Sequence, residues 1–185
     1  MKHDTTLLGR AIRGASNAAW FSWQLPQNLL GLAFWQAMKA KHNTVRVLES
    51  GQELDSRAPT PPRPLPSDYT MIQLPLPLFG GLSLGRYLFL GTPAKSPSDS
   101  QPSANLIAHE RGHMIQSRRL GPLYLLAVGV PSVARAIYHR KRHSHWSAEA
   151  RSEWYHRHWP ESAADRHGGV IRNYTQTRAK KITEA

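Results

Sequence analysis

Apolar residues in the second half of the chain recur at helical spacing, whereas between residues 69 and 91 they crowd together or alternate. The first rhythm predicts amphipathic helices and the second predicts strands. In YTMIQLPLPLFGGLSLGRYLFLG, residues 69 to 91, two β-type runs flank Gly80 and Gly81. The second run sets Leu82, Leu84, Arg86, Leu88 and Leu90 against Ser83, Gly85, Tyr87 and Phe89, so a hairpin is expected. Pro75 and Pro77 cannot donate to a ladder and assign the first run to a sheet edge. Downstream, a helix is predicted from about Ser103 to Arg119, stopped by Gly121 and Pro122. An apolar helix should follow and stop near Gly129, with a third starting at Pro131 and Ser132 and running into ARAIYHRKRH. A fourth covers residues 147–158, and a short fifth, residues 160–169, has proline in its first turn and glycines at its end. The expected fold is α+β and mainly helical, with a small hairpin or sheet ahead of the helix at 103–119.

Proline and serine set the boundaries. Residues 49–68 hold five prolines among small and charged residues and read as an irregular connection, and residues 92–104 read as a loop. Four parts follow: an apolar, aromatic helical segment 1–48, the connection 49–68, a core 69–173 and a basic tail 174–185. Length favours one main core for the 185 residues.

Residues 14–38 carry no charge, yet Asn17, Gln24, Pro26, Gln27 and Asn28 interrupt the apolar run too often for a spanning helix. Trp20, Trp23 and Trp35 would suit a membrane interface. The uncharged run 120–134 is short and broken by Pro131, so a buried core helix is expected there. No secretory signal pattern opens the chain. The expected location is the cytoplasm, with association at a membrane surface left open.

The net charge of +12 would concentrate a polyanion or an anionic membrane around the chain. No helix-turn-helix, aromatic sheet signature or Cys/His finger accompanies it, which argues against a dedicated nucleic-acid role. With no cysteine, a metal site would have to be built from His, Asp and Glu.

Such a set exists. In LIAHERGHMIQS, His109 and His113 are four apart and share one helix face, with Glu110 about 100° round from His109. In a chain with ten histidines the pattern arises by chance roughly 2% of the time, so its context matters. Apolar flanks supply a buried face, and Gly112 permits close packing. A catalytic zinc needs three protein ligands and an open position. His139, His143, His145, His156 and His158 lie in basic runs and read as surface residues. Glu161 and Asp165 are four apart on one helix face, so one carboxylate can bind metal while the other accepts a ligand histidine's second N–H.

At HERGH and ESAADR the chain resembles the gluzincin metallopeptidases, and most closely the CAAX-prenyl-protease and HtpX-like pattern of HExGH followed by ExxAD. From about Leu106 to Val170 it is also similar to a small bacterial family with an HExGHxxQS, GPxYL and PS pattern. Those peptidases carry clear transmembrane helices, which this chain lacks, so their substrates are not carried over. The resemblance implies a zincin-like core, Zn2+ held by His109, His113 and Glu161, Asp165 outside them, and Glu110 as general base towards a peptide or protein substrate. Candidate transition-state donors are Tyr155, His156, Arg166, His167, Arg172 and Tyr174. The strand LSLGRYLFL offers an edge for an extended substrate. Two other readings stand beside this one: a non-catalytic metal-binding module that meets a membrane or protein partner through its basic, aromatic surface, and a nucleic-acid-associated protein. The sequence sets no oligomeric state.

Overall fold

The computed structural model describes residues 16–43, 45–48, 69–76, 80–91 and 103–172. Helix α1 is Leu25–Lys41, preceded by helical residues 16–23, and strand β1 is Arg46–Leu48. Strands β2 (Thr70–Leu74), β3 (Gly81–Leu84) and β4 (Tyr87–Gly91) follow. Helix α2 (Ala104–Leu120) then leads through a 3-10 turn and a π-turn, Leu125–Gly129, into α3 (Val130–Arg142), α4 (Ala148–Arg157) and α5 (Glu161–Gly168). The α+β, mainly helical class expected from the sequence is the class observed. The connections 49–68 and 92–102 and the tail 174–185 lie outside the described residues.

The sheet order is β1-β2-β4-β3, with β2 and β4 parallel and the other pairs antiparallel. Two expectations are corrected here. β2 is internal, because it ends at Leu74 before the prolines begin, and β1 and β3 take the edges. The run 82–90 is not one strand: it folds on itself through Gly85 and Arg86, with Gly85 at φ +60°, as a two-residue hairpin requires. The Asn28 side chain accepts from the Arg86 N–H at 2.9 Å and holds this turn.

That turn changes which residues share a face. Leu84 pairs with Tyr87 and Leu82 with Phe89, so the β3 leucines join Ile72, Leu74, Tyr87 and Phe89 against Phe34, Trp35 and Met38 of α1. On the opposite face Met71, Leu88 and Leu90 pack on Ile107 and Met114 of α2. Ser83, paired with Leu88, is thereby turned towards α2.

Helix α2 has the boundaries its sequence predicts. Ser103 Oγ accepts from the Leu106 N–H at 3.2 Å, and Gly121 ends the helix at φ +51° ahead of Pro122. The next segment differs from expectation. Instead of an apolar helix ending near Gly129, the chain continues through the π-turn into α3, and Leu123, Leu126, Val130 and Val133 are exposed rather than buried. Helices α4 and α5 fall where predicted, with Ser147 capping α4 and Gly169, at φ +76°, ending α5. Among the described residues, no helix is long and apolar enough to cross a membrane.

Helices α2 and α5 make the most extensive helix contact. A Cβ on Gly112 would meet the Ala164 carbonyl of α5, and one on Gly168 would meet the Ala108 carbonyl of α2. Each glycine admits the other helix's backbone. In an open helix, Gly112→Ala would stabilise by about 1 kcal/mol; here the collision should outweigh that and cost about 2 to 3 kcal/mol net. Gly80→Ala, with open space around it, should stay within about 0.5 kcal/mol of wild type. Urea unfolding midpoints check both values, and equal midpoints for the two variants would remove the packing argument.

Candidate metal centre

The close crossing brings the first turn of α5 to the middle of α2. His109 and His113 rise one turn apart from α2, their rings 4.8 Å apart and nearly perpendicular. Their Nε2 atoms lie 3.0 and 3.1 Å from the same oxygen, Glu161 Oε2. All three side chains are buried, and their ligand atoms lie within 4.8 Å of one another. Bond lengths of about 2.0 to 2.1 Å to a tetrahedral ion put ligand atoms about 3.3 Å apart, so these three side chains could hold a metal ion with small adjustments.

The other ring nitrogens are engaged. His109 Nδ1 donates to Asp165 Oδ1 at 2.7 Å, and Arg172 clamps Asp165 through Nε at 2.6 Å and an Nη at 2.9 Å. His113 Nδ1 lies 2.7 Å from Gln116 Oε1, while Gln116 Nε2 donates to the Pro160 carbonyl at 3.1 Å. Since the Gln116 amide nitrogen is spent on that carbonyl, its oxygen accepts from His113 Nδ1–H, leaving Nε2 with the lone pair a metal needs. Glu161 Oε1 is held by Ser132 Oγ at 2.5 Å and Tyr155 OH at 3.0 Å, which turns Oε2 towards the histidines.

Glu110 stands beside the three, and its carboxylate is hydrogen-bonded to Ser83 rather than to any of them. Ser83 Oγ lies 2.9 Å from its Oε2 and 2.8 Å from its backbone carbonyl, and Tyr124 donates to the Ser83 carbonyl at 3.3 Å. Gly81 leaves the space that the Glu110 carboxylate fills. A cleft of about 560 Å³ opens over these groups, lined by Gly81 and Ser83 of β3, by Tyr124, Val128 and Ser132, and by Tyr155, His156 and Arg172.

Burial and charge set the protonation states. Desolvation pushes the Glu110 carboxyl up, against the pull of His113 and His109. Burial disfavours the His109 imidazolium, but hydrogen bonds to Asp165 and Glu161 outweigh it and raise its pKa to about 9. Both carboxyls overcome their own burial: hydrogen bonds from His109 and His113 hold Glu161 well below the usual range, and those from His109 and Arg172 lower Asp165. His156 is lowered to about 4 by burial and by Arg172.

Of the donor candidates, Tyr155, His156 and Arg172 line the cleft, Arg166 is exposed outside it, and His167 lies beside Arg119. Tyr174 falls outside the described residues. His156 and His139 are not surface histidines as expected. The His156 ring sits 5.1 Å from that of His109, and His139 is buried against Trp154. His145 and His158 are exposed as expected, and His143 stacks on Trp146. Sequence reasoning missed Ser83, Gln116, Tyr124 and Ser132 as site residues. Gln116 was accessible to it, since the spacing rule that pairs His109 with His113 also places a residue three beyond His113 on that face.

No protein-family model matches the chain, and no curated protein or solved structure matches it either. The centre is therefore defined by its own geometry: a buried pair of imidazoles and a carboxylate, each oriented by a partner.

Two expectations follow for the metal-free protein. Because the folded pKa of His109 is raised to about 9 from 6.5, its contribution to stability is complete below pH 6.5 and is lost as pH rises through 9. Thermal melts of chelator-treated protein should show that decline, and a melting temperature that rises between pH 6.5 and 9 would contradict it. Asp165→Ala and Gln116→Leu should each weaken metal binding about 10- to 100-fold, whereas exposed His158→Ala should leave it unchanged in a competition titration.

Proposed function

We propose that the protein is a zinc-dependent metallopeptidase of the gluzincin type, with His109, His113 and Glu161 as ligands. The observation that carries this reading is the convergence of both Nε2 atoms on Glu161 Oε2 with both Nδ1 atoms already engaged. Two imidazoles and one carboxylate are a donor set that suits zinc and leave a coordination position open. Bound there, zinc would lower the pKa of a water to about 7 and polarise a peptide carbonyl.

Glu110 is the group that takes the water's proton and passes it to the leaving amine. Burial raises its pKa and so makes the carboxylate a stronger base for the first of these transfers. Ser83 fixes its carboxylate at 2.9 Å. The outer edge of β3, which lines the cleft, gives an extended peptide or protein substrate a strand to pair with. His156 is neutral at pH 7 and its Nδ1 donates to the Ser152 carbonyl at 2.8 Å, so its Nε2 can only accept. The Tyr155 hydroxyl hydrogen is spent on Glu161, so donation to a developing oxyanion falls to the Arg172 Nη that Asp165 does not hold.

Elemental analysis of purified protein should give one zinc per chain, and His113→Ala and Glu161→Ala should each lose most of it. Glu110→Gln should keep the zinc and the fold while hydrolysis of a casein or peptide-library substrate falls by about a hundredfold or more. Equal zinc in wild type and His113→Ala would remove the site, and loss of zinc from Glu110→Gln would make Glu110 a ligand and remove the mechanism.

A further inference from the structure

Helix α1 is amphipathic in reverse. Its inward positions are polar or small: Gln24, just ahead of it, and Gln27 donate to Ser117 Oγ, Gln27 also donates to the Gly121 carbonyl, and Gly31 lies against Tyr87 and Leu84. Only its last turns, at Phe34, Trp35 and Met38, pack apolar groups on the sheet. Its outward positions are Leu25, Leu29, Leu30 and Leu32, all exposed, and Trp20, Phe21 and Trp23 are exposed on the helical residues before it. A helix facing water has the opposite arrangement.

A second apolar face adjoins the first. Leu123, Leu126, Val130, Val133 and Ile137 recur at alternating steps of three and four, and all are more than half exposed, Leu126 by 70%. The two faces meet where the Trp23 ring lies against Gly121 and Trp23 Nε1 donates to the Arg118 carbonyl at 2.9 Å. Single exposed leucines are ordinary, but a continuous set from two helices marks a surface that is covered in use.

Charge selects what covers it. Neither residues 16–41 nor residues 121–142 contain an aspartate or glutamate. Lys39 and Lys41 close α1, Arg140, Lys141 and Arg142 close α3, and the Arg118 guanidinium lies over the Trp20 ring at 4.9 Å. The same faces of a second copy would bring more positive charge and no acid to answer it. An anionic lipid surface supplies hydrocarbon for the leucines, an interfacial layer for the tryptophans and phosphates for the basic helix ends.

We infer that the faces of residues 20–32 and 123–137 form one monotopic docking surface that seats the protein on an anionic bilayer without crossing it. Val133 of the second face also lines the cleft over His109 and Glu110, so the seated protein opens that cleft beside the lipid. The inference does not depend on the bound metal or on hydrolysis.

Vesicle flotation tests it. Full-length protein should float with vesicles of three parts phosphatidylcholine to one part phosphatidylglycerol, and brominated acyl chains should quench its tryptophan emission. The pairs Leu29→Gln with Leu30→Gln, and Leu126→Gln with Ile137→Gln, replace residues already exposed in the fold. With circular dichroism unchanged, each pair should lower partitioning by about tenfold or more. Replacing Arg140, Lys141 and Arg142 with Gln should reduce the preference for anionic over neutral vesicles by at least about tenfold. The inference is overturned if wild-type protein stays in the aqueous fraction, if bromine leaves its emission unchanged, or if both pairs float as wild type does. It is also overturned if light scattering shows a stable dimer that the same substitutions split, since the cover would then be a second copy.

Discussion

The reciprocal approach of α2 and α5 is the constraint from which the centre follows. Gly112 admits the Ala164 carbonyl and Gly168 admits the Ala108 carbonyl, so the two backbones touch where side chains would ordinarily hold helices about 8 to 10 Å apart. Glu161 and Asp165 lie on the face of α5 that this crossing turns towards α2, and His109 and His113 lie on the answering face. Ligand distance and helix distance are one quantity here. A longer side chain at either glycine would move Glu161 away from His109 and His113.

Around that crossing the protein buries three carboxylates, an arrangement that costs stability unless each finds a partner. Asp165 has Arg172 and His109, Glu161 has two histidines, Ser132 and Tyr155, and Glu110 has Ser83. The partners come from β3, α2, α3, α4 and the segment after α5, so the acids are held from several directions at once. A divalent cation would relieve the same excess of negative charge from within.

How much was legible in the sequence depended on range. Helix α2, its Ser103 cap, the shared face of His109 and His113, and the pairing of Glu161 with Asp165 follow from spacing within one or two turns, and these could be read directly. The sheet could not. Alternation placed Leu82 and Leu84 with Leu88 and Leu90, but a two-residue turn at Gly85 reversed the chain and moved them to the other face. The same reversal aimed Ser83 at Glu110, a relation between residues 27 apart that no local pattern encodes. Burial was misread for a different reason. The run 120–134 is apolar and so was expected in the core, although composition reports what a residue avoids and leaves open whether protein or something else shields it. His139 and His156 lie in basic runs, yet Trp154 and the cleft enclose them.

The separation of 48 residues between His113 and Glu161 carries a consequence for biosynthesis. On a ribosome the sheet and α2 emerge first, and at that stage the chain presents two histidines with no third donor and no crossing helix to order them. The full set of three side chains comes together only once α5 has been made through Gly168 and has seated against Ala108. Any metal that the three side chains hold would therefore be acquired late, after tertiary structure is complete, and a nascent or truncated chain lacking α5 would offer it only the two histidines.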